Sequence, residues 1–202
     1  WYQATHRNGE RCSAAKAYLV PALGRPNLTV LTGAQATRIG FDGRRATSVD
    51  YVQNGTRHTL PVRGEVLLAA GALQSPQLLM TSGIGPGAQL QRFGIPVLHD
   101  LPGVGANLHD HIDVVQVVDT PGSTESFGLS LAAAARLPGD IAQWRRARSG
   151  RLTTNFAEAG AFFRTRPDEP VPDMQLHFVI GKLVDHGRKT VLGHGYSCHV
   201  CL

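Results

Sequence analysis

Long apolar runs, cysteine, aromatic residues and charge are all scarce in this sequence. No apolar stretch approaches the roughly 18 residues that a membrane-crossing helix needs, and no signal peptide is visible. Three cysteines, Cys12, Cys198 and Cys201, are too few and odd in number for a disulfide framework, and they fit a reducing compartment. Charged residues make up 17%, too few for a disordered chain, while 42% apolar content can fill a core. Aromatics amount to 6% and do not alternate with basic residues, so the stacking platform of a single-strand nucleic-acid binder is missing. No G-x-S-x-G elbow is present, and serine hydrolysis has no support.

The net charge is +5, but the basic residues are scattered. The densest cluster, Arg145, Arg146 and Arg148 beside Arg151, reads as a solvated helix face. The basic balance is the only ground for nucleic-acid binding, and no nucleic-acid partner is expected. The chain starts at Trp1 and stops inside the apolar run ending at Leu202, so both ends are expected to be cuts within a longer protein.

Turn and periodicity signals parse the 202 residues into an α/β region and an α+β region. A short helical stretch lies within residues 9–23, with Ser13 as its cap. Strand-like runs cover 28–32, 35–41, 45–53 and 56–62. Asp42-Gly43 and Asn54-Gly55 supply hairpin turns, and the whole reads as an antiparallel meander. Residues 65–70, Glu-Val-Leu-Leu-Ala-Ala, are continuously apolar after the first and meet Gly71, as in a strand buried on both faces of a parallel sheet. A helix is expected over 72–82, with Pro76 in its first turn and Gly83 beyond its end. Strand, tight glycine turn and helix is the grammar of a nucleotide-binding domain. Beyond Gly94 come a turn-rich stretch, a strand at 112–118, two helical pieces within 127–148 separated by Pro138-Gly139, and strands at 159–164, 173–180 and 195–202. The expected division is a partial cofactor domain over 1–94 and a partial substrate domain over 95–202, the latter with a mixed or antiparallel sheet and helices.

The run Gly71-Ala-Leu-Gln-Ser-Pro-Gln-Leu-Leu-Met-Thr-Ser-Gly-Ile-Gly85 carries the most information. Ala70, Gly71 and Ala72 let a ligand approach the backbone, and N–H groups at the helix start could face phosphate or ribose oxygens. Close strand–helix packing without a ligand explains the same small residues. This run resembles the second signature of the glucose–methanol–choline (GMC) FAD-dependent oxidoreductases. So do its surroundings: Ser13-Ala-Ala-Lys-Ala-Tyr-Leu19, Arg25-Pro-Asn-Leu-Thr-Val-Leu31, Leu101-Pro-Gly-Val-Gly-Ala-Asn-Leu-His-Asp-His111, His186-Gly-Arg-Lys189 and Gly193-His-Gly-Tyr196. The last two are similar to the choline-dehydrogenase-like branch.

The resemblance implies FAD as cofactor and a small alcohol as substrate, with electrons passing to a quinone or to oxygen. It also implies a cytoplasmic enzyme, with peripheral contact to the inner membrane left open. Ala36 takes the place of a residue whose backbone meets the adenine, and Ala70, Gly71 and Ala72 lie near the adenosine. Asp110, His111 and Asp113 take the places of residues that wall the substrate cavity, where a carboxylate suits a quaternary ammonium and also occurs with neutral alcohols. His177 resembles a substrate-pocket histidine. For Asp113 a surface carboxylate at a strand start, and for His177 a packed strand histidine, remain as plainer readings.

Two motifs fail their context tests. Gly83-Ile-Gly-Pro-Gly-Ala88 fits G-x-G-x-x-A but follows a helix, with Pro86 where an N–H is wanted. Cys198 and Cys201 are three apart on a strand and point to opposite faces, so no metal site is expected. The family's G-x-G-x-x-G unit and its catalytic histidine have no match in this sequence, and that histidine is expected beyond residue 202. A non-catalytic binding module of the same fold is the alternative. The coding sequence upstream is expected to encode a G-x-G-x-x-G βαβ unit and that downstream a histidine-bearing segment. Sequencing both flanks checks this, and a reading frame confined to these residues would contradict it.

Overall fold

The computed structural model describes residues 5–202. They form two compact units, one of Thr29–Asp110 and one combining the residues up to Leu28 with His111–Leu202. A small hairpin, β1 (His6–Arg7) and β2 (Glu10–Arg11), precedes a π-helical turn at Ala15–Leu19 and α1 (Val20–Ala22). Next come β3 (Ala34–Asp42), β4 (Arg45–Gln53), β5 (Thr56–Pro61), α2 (Gly71–Thr81), β6 (Ile84–Gly85), α3 (Gly87–Arg92) and β7 (His99–Asp100). The rest is β8 (Asp113–Asp119), β9 (Gly128–Leu129), α4 (Leu131–Ala147), β10 (Ala157–Phe163), β11 (Met174–Val179) and β12 (Gly193–Cys201).

The Thr29–Asp110 unit is built on the expected meander, β3-β4-β5. Asn54 and Gly55 both have positive φ, 51° and 76°, the geometry that an Asn-Gly hairpin turn supplies. Helix α2 is tied to β3 by side chains. The Ser82 hydroxyl accepts the Ile39 N–H at 2.8 Å and donates to the Leu78 carbonyl at 2.5 Å. Thr81 Oγ1 donates to the Thr37 carbonyl at 3.0 Å. Ser82 and Ile39 are both buried, and leaving such a buried N–H unpaired costs about 1–3 kcal/mol. Past the helix, Gly83 turns the chain at φ +89°, and its carbonyl accepts from Leu98 and His99. That fold-back pairs β6 with β7 in parallel.

In the second unit, β10-β11-β12-β8 form one antiparallel sheet, and β9 adds to the start of β12. From Gly195 on, strand β12 alternates: Gly195, Ser197, His199 and Cys201 are buried, while Tyr196, Cys198 and Val200 are half-buried. Helix α4 is capped by Ser130, whose hydroxyl accepts the Ala133 N–H. The first hairpin joins this unit through the Trp144 indole, which donates to the Gly9 carbonyl at 2.8 Å, and through the Arg148–Glu10 ion pair.

Several expectations need correction. Residues 28–32 form no strand, and Val30 and Leu31 are exposed. Residues 65–70 likewise pair with no strand among the described residues, and Leu67 is 82% exposed, so the doubly buried parallel strand is not formed. An apolar strand needs a neighbour to satisfy its N–H and C=O groups. Pro76 lies in the second turn of α2, not the first. Pro138 does not break the helical stretch; α4 runs through it, because its side is exposed and water can meet the carbonyl that the missing N–H leaves open. The compact units divide at residues 28/29 and 110/111, a division by packing that leaves the expected cofactor/substrate boundary near 94 untouched. Residues 95–110 stay with the first unit because β7 pairs with β6 and Asp100 Oδ1 accepts the Gly87 N–H at 2.8 Å.

Gly83→Ala should be poorly tolerated. It forces a side chain at φ +89°, with its Cβ 2.7 Å from the Pro96 carbonyl oxygen. A loss of roughly 1–3 kcal/mol in urea-unfolding stability is expected; an unchanged midpoint would contradict the fold-back described here.

Candidate functional site

Two groups of sequence-predicted residues have distinct surroundings, one in each unit. In the Thr29–Asp110 unit, Ala70 is the N-cap of α2, with no side-chain cap bond, and Gly71 follows at φ +85°. Ala36, Ala70, Gly71 and Ala72 are all exposed. A Cβ at Gly71 would meet nothing within 4 Å, so the backbone angle alone selects glycine there. The ties from Thr81 and Ser82 hold β3, and with it Ala36, against the same helix. The result is a small-residue edge ending in helix N–H groups that no side chain caps. Ala72 also lines an open hollow of about 500 Å³ with Pro76, Met80 and Asn107.

The rest of the signature run serves architecture. Gly85 has no room for a side chain, since a Cβ would sit 2.7 Å from Met80 Cγ. The Gly83–Ala88 stretch cannot serve as a phosphate loop, because the first N–H of the six-residue α3 is already bonded to Asp100.

In the second unit, strand register brings two predicted residues onto one sheet face. His177 lies opposite His199, Gln175 opposite Cys201, and Cys201 opposite Asp113. Residues paired across antiparallel strands share a face, so Asp113, Gln175, His177, His199 and Cys201 point the same way. Asp113 is not a surface carboxylate: its side chain is 16% exposed. The His199 Nδ1–H donates to Asp113 Oδ2 at 2.7 Å, and the Cys201 thiol donates to Asp113 Oδ1 at 3.4 Å. Burial, and then the Asp113 hydrogen bond and charge, push the Cys201 thiol above its ordinary 9.0. His177 and Gln175 line a cavity of about 790 Å³ with His6, Trp144, Thr153 and Asn155.

His111 lies just before β8, and its Nδ1–H donates to the Leu202 carbonyl at 2.9 Å. Asp110 is exposed at the end of the other unit. Strand register thus sets Asp113 and His177 on one face of the second unit's sheet. His199, Gln175 and Cys201 were not singled out from sequence as members of this face. The parity of the 193–201 strand held the signal, since it sets His199 and Cys201 on one side. A further histidine, His194, is buried: its Nδ1–H donates to the Ser126 carbonyl at 2.9 Å, and Ser130 Oγ donates to its Nε2 at 2.7 Å. That network locks the start of α4 to the start of β12.

Residues 1–113 match a family model described as GMC oxidoreductase. An alcohol dehydrogenase (acceptor) of Pseudomonas putida is 39% identical over 203 residues, which is 100% of this chain and 37% of that protein. The mitochondrial choline dehydrogenase of Mus musculus is 41% identical over 202 residues, 99% of this chain and 33% of that protein. The chain thus spans about a third of the length of these curated relatives. Among solved structures, a variant of the formate oxidase of Aspergillus oryzae superposes with a TM-score of 0.83 at 23% identity, covering 98% of this chain and 38% of that one. At that identity the likeness speaks for the fold.

The raised thiol gives a pH prediction with a fixed sign. Folded Cys201 holds its proton where an unfolded thiol loses it, so this contribution to stability is present below about pH 9 and is lost as pH rises through the folded value. Native Cys201 should react with iodoacetamide more slowly than in urea, and Asp113→Asn should accelerate the native reaction. Equal rates in folded and unfolded protein would contradict the assigned surroundings.

Proposed function

The chain belongs to the GMC oxidoreductase family, and from that premise we propose that the whole protein oxidises a primary alcohol, choline-like or aliphatic, to its aldehyde. FAD, the cofactor of the family, supplies the hydride acceptor when bound. The reading is carried by one observation: identities of 39% and 41% run the full chain to an alcohol dehydrogenase and to a choline dehydrogenase.

The residues present fit the adenosine end of FAD. Gly71 has open space where a Cβ would stand, Ala36, Ala70 and Ala72 are exposed and small, and the 11-residue α2 starts without a side-chain cap. These residues would hold that end through backbone groups, with the helix N-terminus favouring oxygen-rich groups. On the substrate side, His177 and Gln175 offer polar groups to the 790 Å³ cavity, with Asp113 deeper in the same sheet face. Asp110 and His111 complete the substrate-side set by resemblance. The base that removes the alcohol proton belongs to the portion of the relatives that this chain does not span, and electrons pass on to oxygen or a quinone.

Anaerobic addition of choline or a primary aliphatic alcohol to the whole, FAD-loaded protein should bleach the flavin absorbance. The 202 residues alone should turn over neither. No bleaching with any primary alcohol would contradict the proposal.

A further inference from the structure

The second unit holds another cavity, of about 650 Å³, lined by the first half of α4, the segment leading into β9 and the approach to β12. Phe127, Leu129, Leu131, Leu137, Leu152 and Leu192 form its apolar walls. Leu131 is 92% exposed and Leu192 76%, so large apolar side chains also stand at its rim. It shares only Leu152 with the 790 Å³ cavity, and no residue assigned to substrate or FAD lines it.

The polar side chains around this cavity are committed to the protein itself, with one exception. His194 donates from Nδ1 to the Ser126 carbonyl and accepts the Ser130 hydroxyl on Nε2, and Ser130 Oγ accepts the Ala133 N–H. The Arg151 guanidinium donates to the carbonyls of Thr124, Glu125 and Ser126, lies over the Phe127 ring and has Asp140 Oδ2 at 3.8 Å from its Nε. Arg136 is the exception. Its Nη1 donates to the Thr124 carbonyl at 3.1 Å and to the Thr124 hydroxyl at 2.9 Å, while its Nε and Nη2 have no partner among the described residues. That open side of the guanidinium is a fork that matches the two oxygens of a carboxylate. The charged lining residues are Arg136, Arg151 and Asp140, two positive against one negative. Arg151 answers Asp140, and the charge of Arg136 is left for a ligand.

We propose that this cavity binds a single-chain anionic amphiphile, a fatty carboxylate, with its alkyl chain along the leucine walls and its carboxylate on Nε and Nη2 of Arg136. A polar ligand body would lose its water there without replacement, whereas an alkyl chain gains by leaving water. A cationic head would meet the uncompensated charge of Arg136. The inference does not rest on the alcohol-oxidation reading.

The test is calorimetric binding of octanoate, decanoate and dodecanoate, each below its micelle-forming concentration, to the whole FAD-loaded protein. Affinity should rise roughly fourfold for each CH2 added. Arg136→Gln should weaken dodecanoate roughly tenfold. Ala134→Trp, which puts a large ring into the cavity from exposed helix surface, should abolish binding with an unchanged circular dichroism spectrum. Equal affinity for dodecanoate and dodecyltrimethylammonium, or no dependence on chain length, would overturn the proposal. A further measurement needs no variant. A dodecanoate carrying a diazirine at its methyl end, irradiated on the unaltered protein, should label residues 127–137, 152 or 192, and excess dodecanoate should suppress the label. Label confined to other residues would overturn the proposal. So would binding to anionic phospholipid vesicles without binding of free dodecanoate, which would make the exposed leucines a membrane contact. Failure to oxidise any alcohol leaves these results unaffected, and failure to bind dodecanoate leaves alcohol oxidation unaffected.

Discussion

The pairing of β12 between β8 and β11 is the constraint on which the second unit depends. Within Gly193–Cys201, Ser197–Cys201 pair with β11 and Gly195–Cys201 with β8, both antiparallel and without a register shift. Side chains on a strand alternate, so this one register fixes the company of every polar residue. Ser197, His199 and Cys201 go inward together, and each finds a partner there. Ser197 donates to the Gly181 carbonyl and accepts the Leu183 N–H, which holds the segment between β11 and β12 against the sheet. A slip of one residue would turn His199 outward and strand Asp113 without its partner.

The other unit depends on a smaller device, the Ser82 hydroxyl. Strand β3 carries bulges between Ala36 and Arg38 and between Gly40 and Phe41, and the Ile39 N–H between them is bonded to a side chain. Ser82 receives it from the last turn of α2, so the strand carrying Ala36 and the helix beginning at Gly71 hold a fixed relation. Gly83 then reverses the chain so that β6 meets β7. The serine and glycines at the end of the signature run are thus framework, while Ala70, Gly71 and Ala72 at its beginning form the open edge. One motif serves both roles, which explains why its small residues suit close packing as well as a ligand.

Much of this was legible in the sequence, for physical reasons that can be named. Asn54-Gly55 has one favoured turn geometry, and strand-like runs between turn signals marked β8, β10, β11 and β12 within a residue or two. The signature run announced the family, and the GMC model matches residues 1–113. Other features were not legible, because local sequence does not carry them. Residues 65–70 have the composition of a buried strand, but a strand exists only where a partner does. Pro138 reads as a break, yet an exposed proline in a long helix can be accommodated by water. The burial of Asp113 depends on His199, 86 positions away in the chain, and only the β8–β12 register brings them together.

The central claim is that the exposed small-residue edge at the start of α2 is where the adenosine end of FAD lies. The most direct measurement is FAD binding to the whole apoprotein carrying Ala70→Leu, followed by flavin fluorescence. Ala70 is exposed and precedes the helix, so the larger side chain should leave the circular dichroism spectrum unchanged while obstructing the edge. A dissociation constant raised by roughly tenfold or more, equivalent to about 1.4 kcal/mol, is the expected result. An unchanged dissociation constant in a folded variant would contradict the claim and place the cofactor elsewhere.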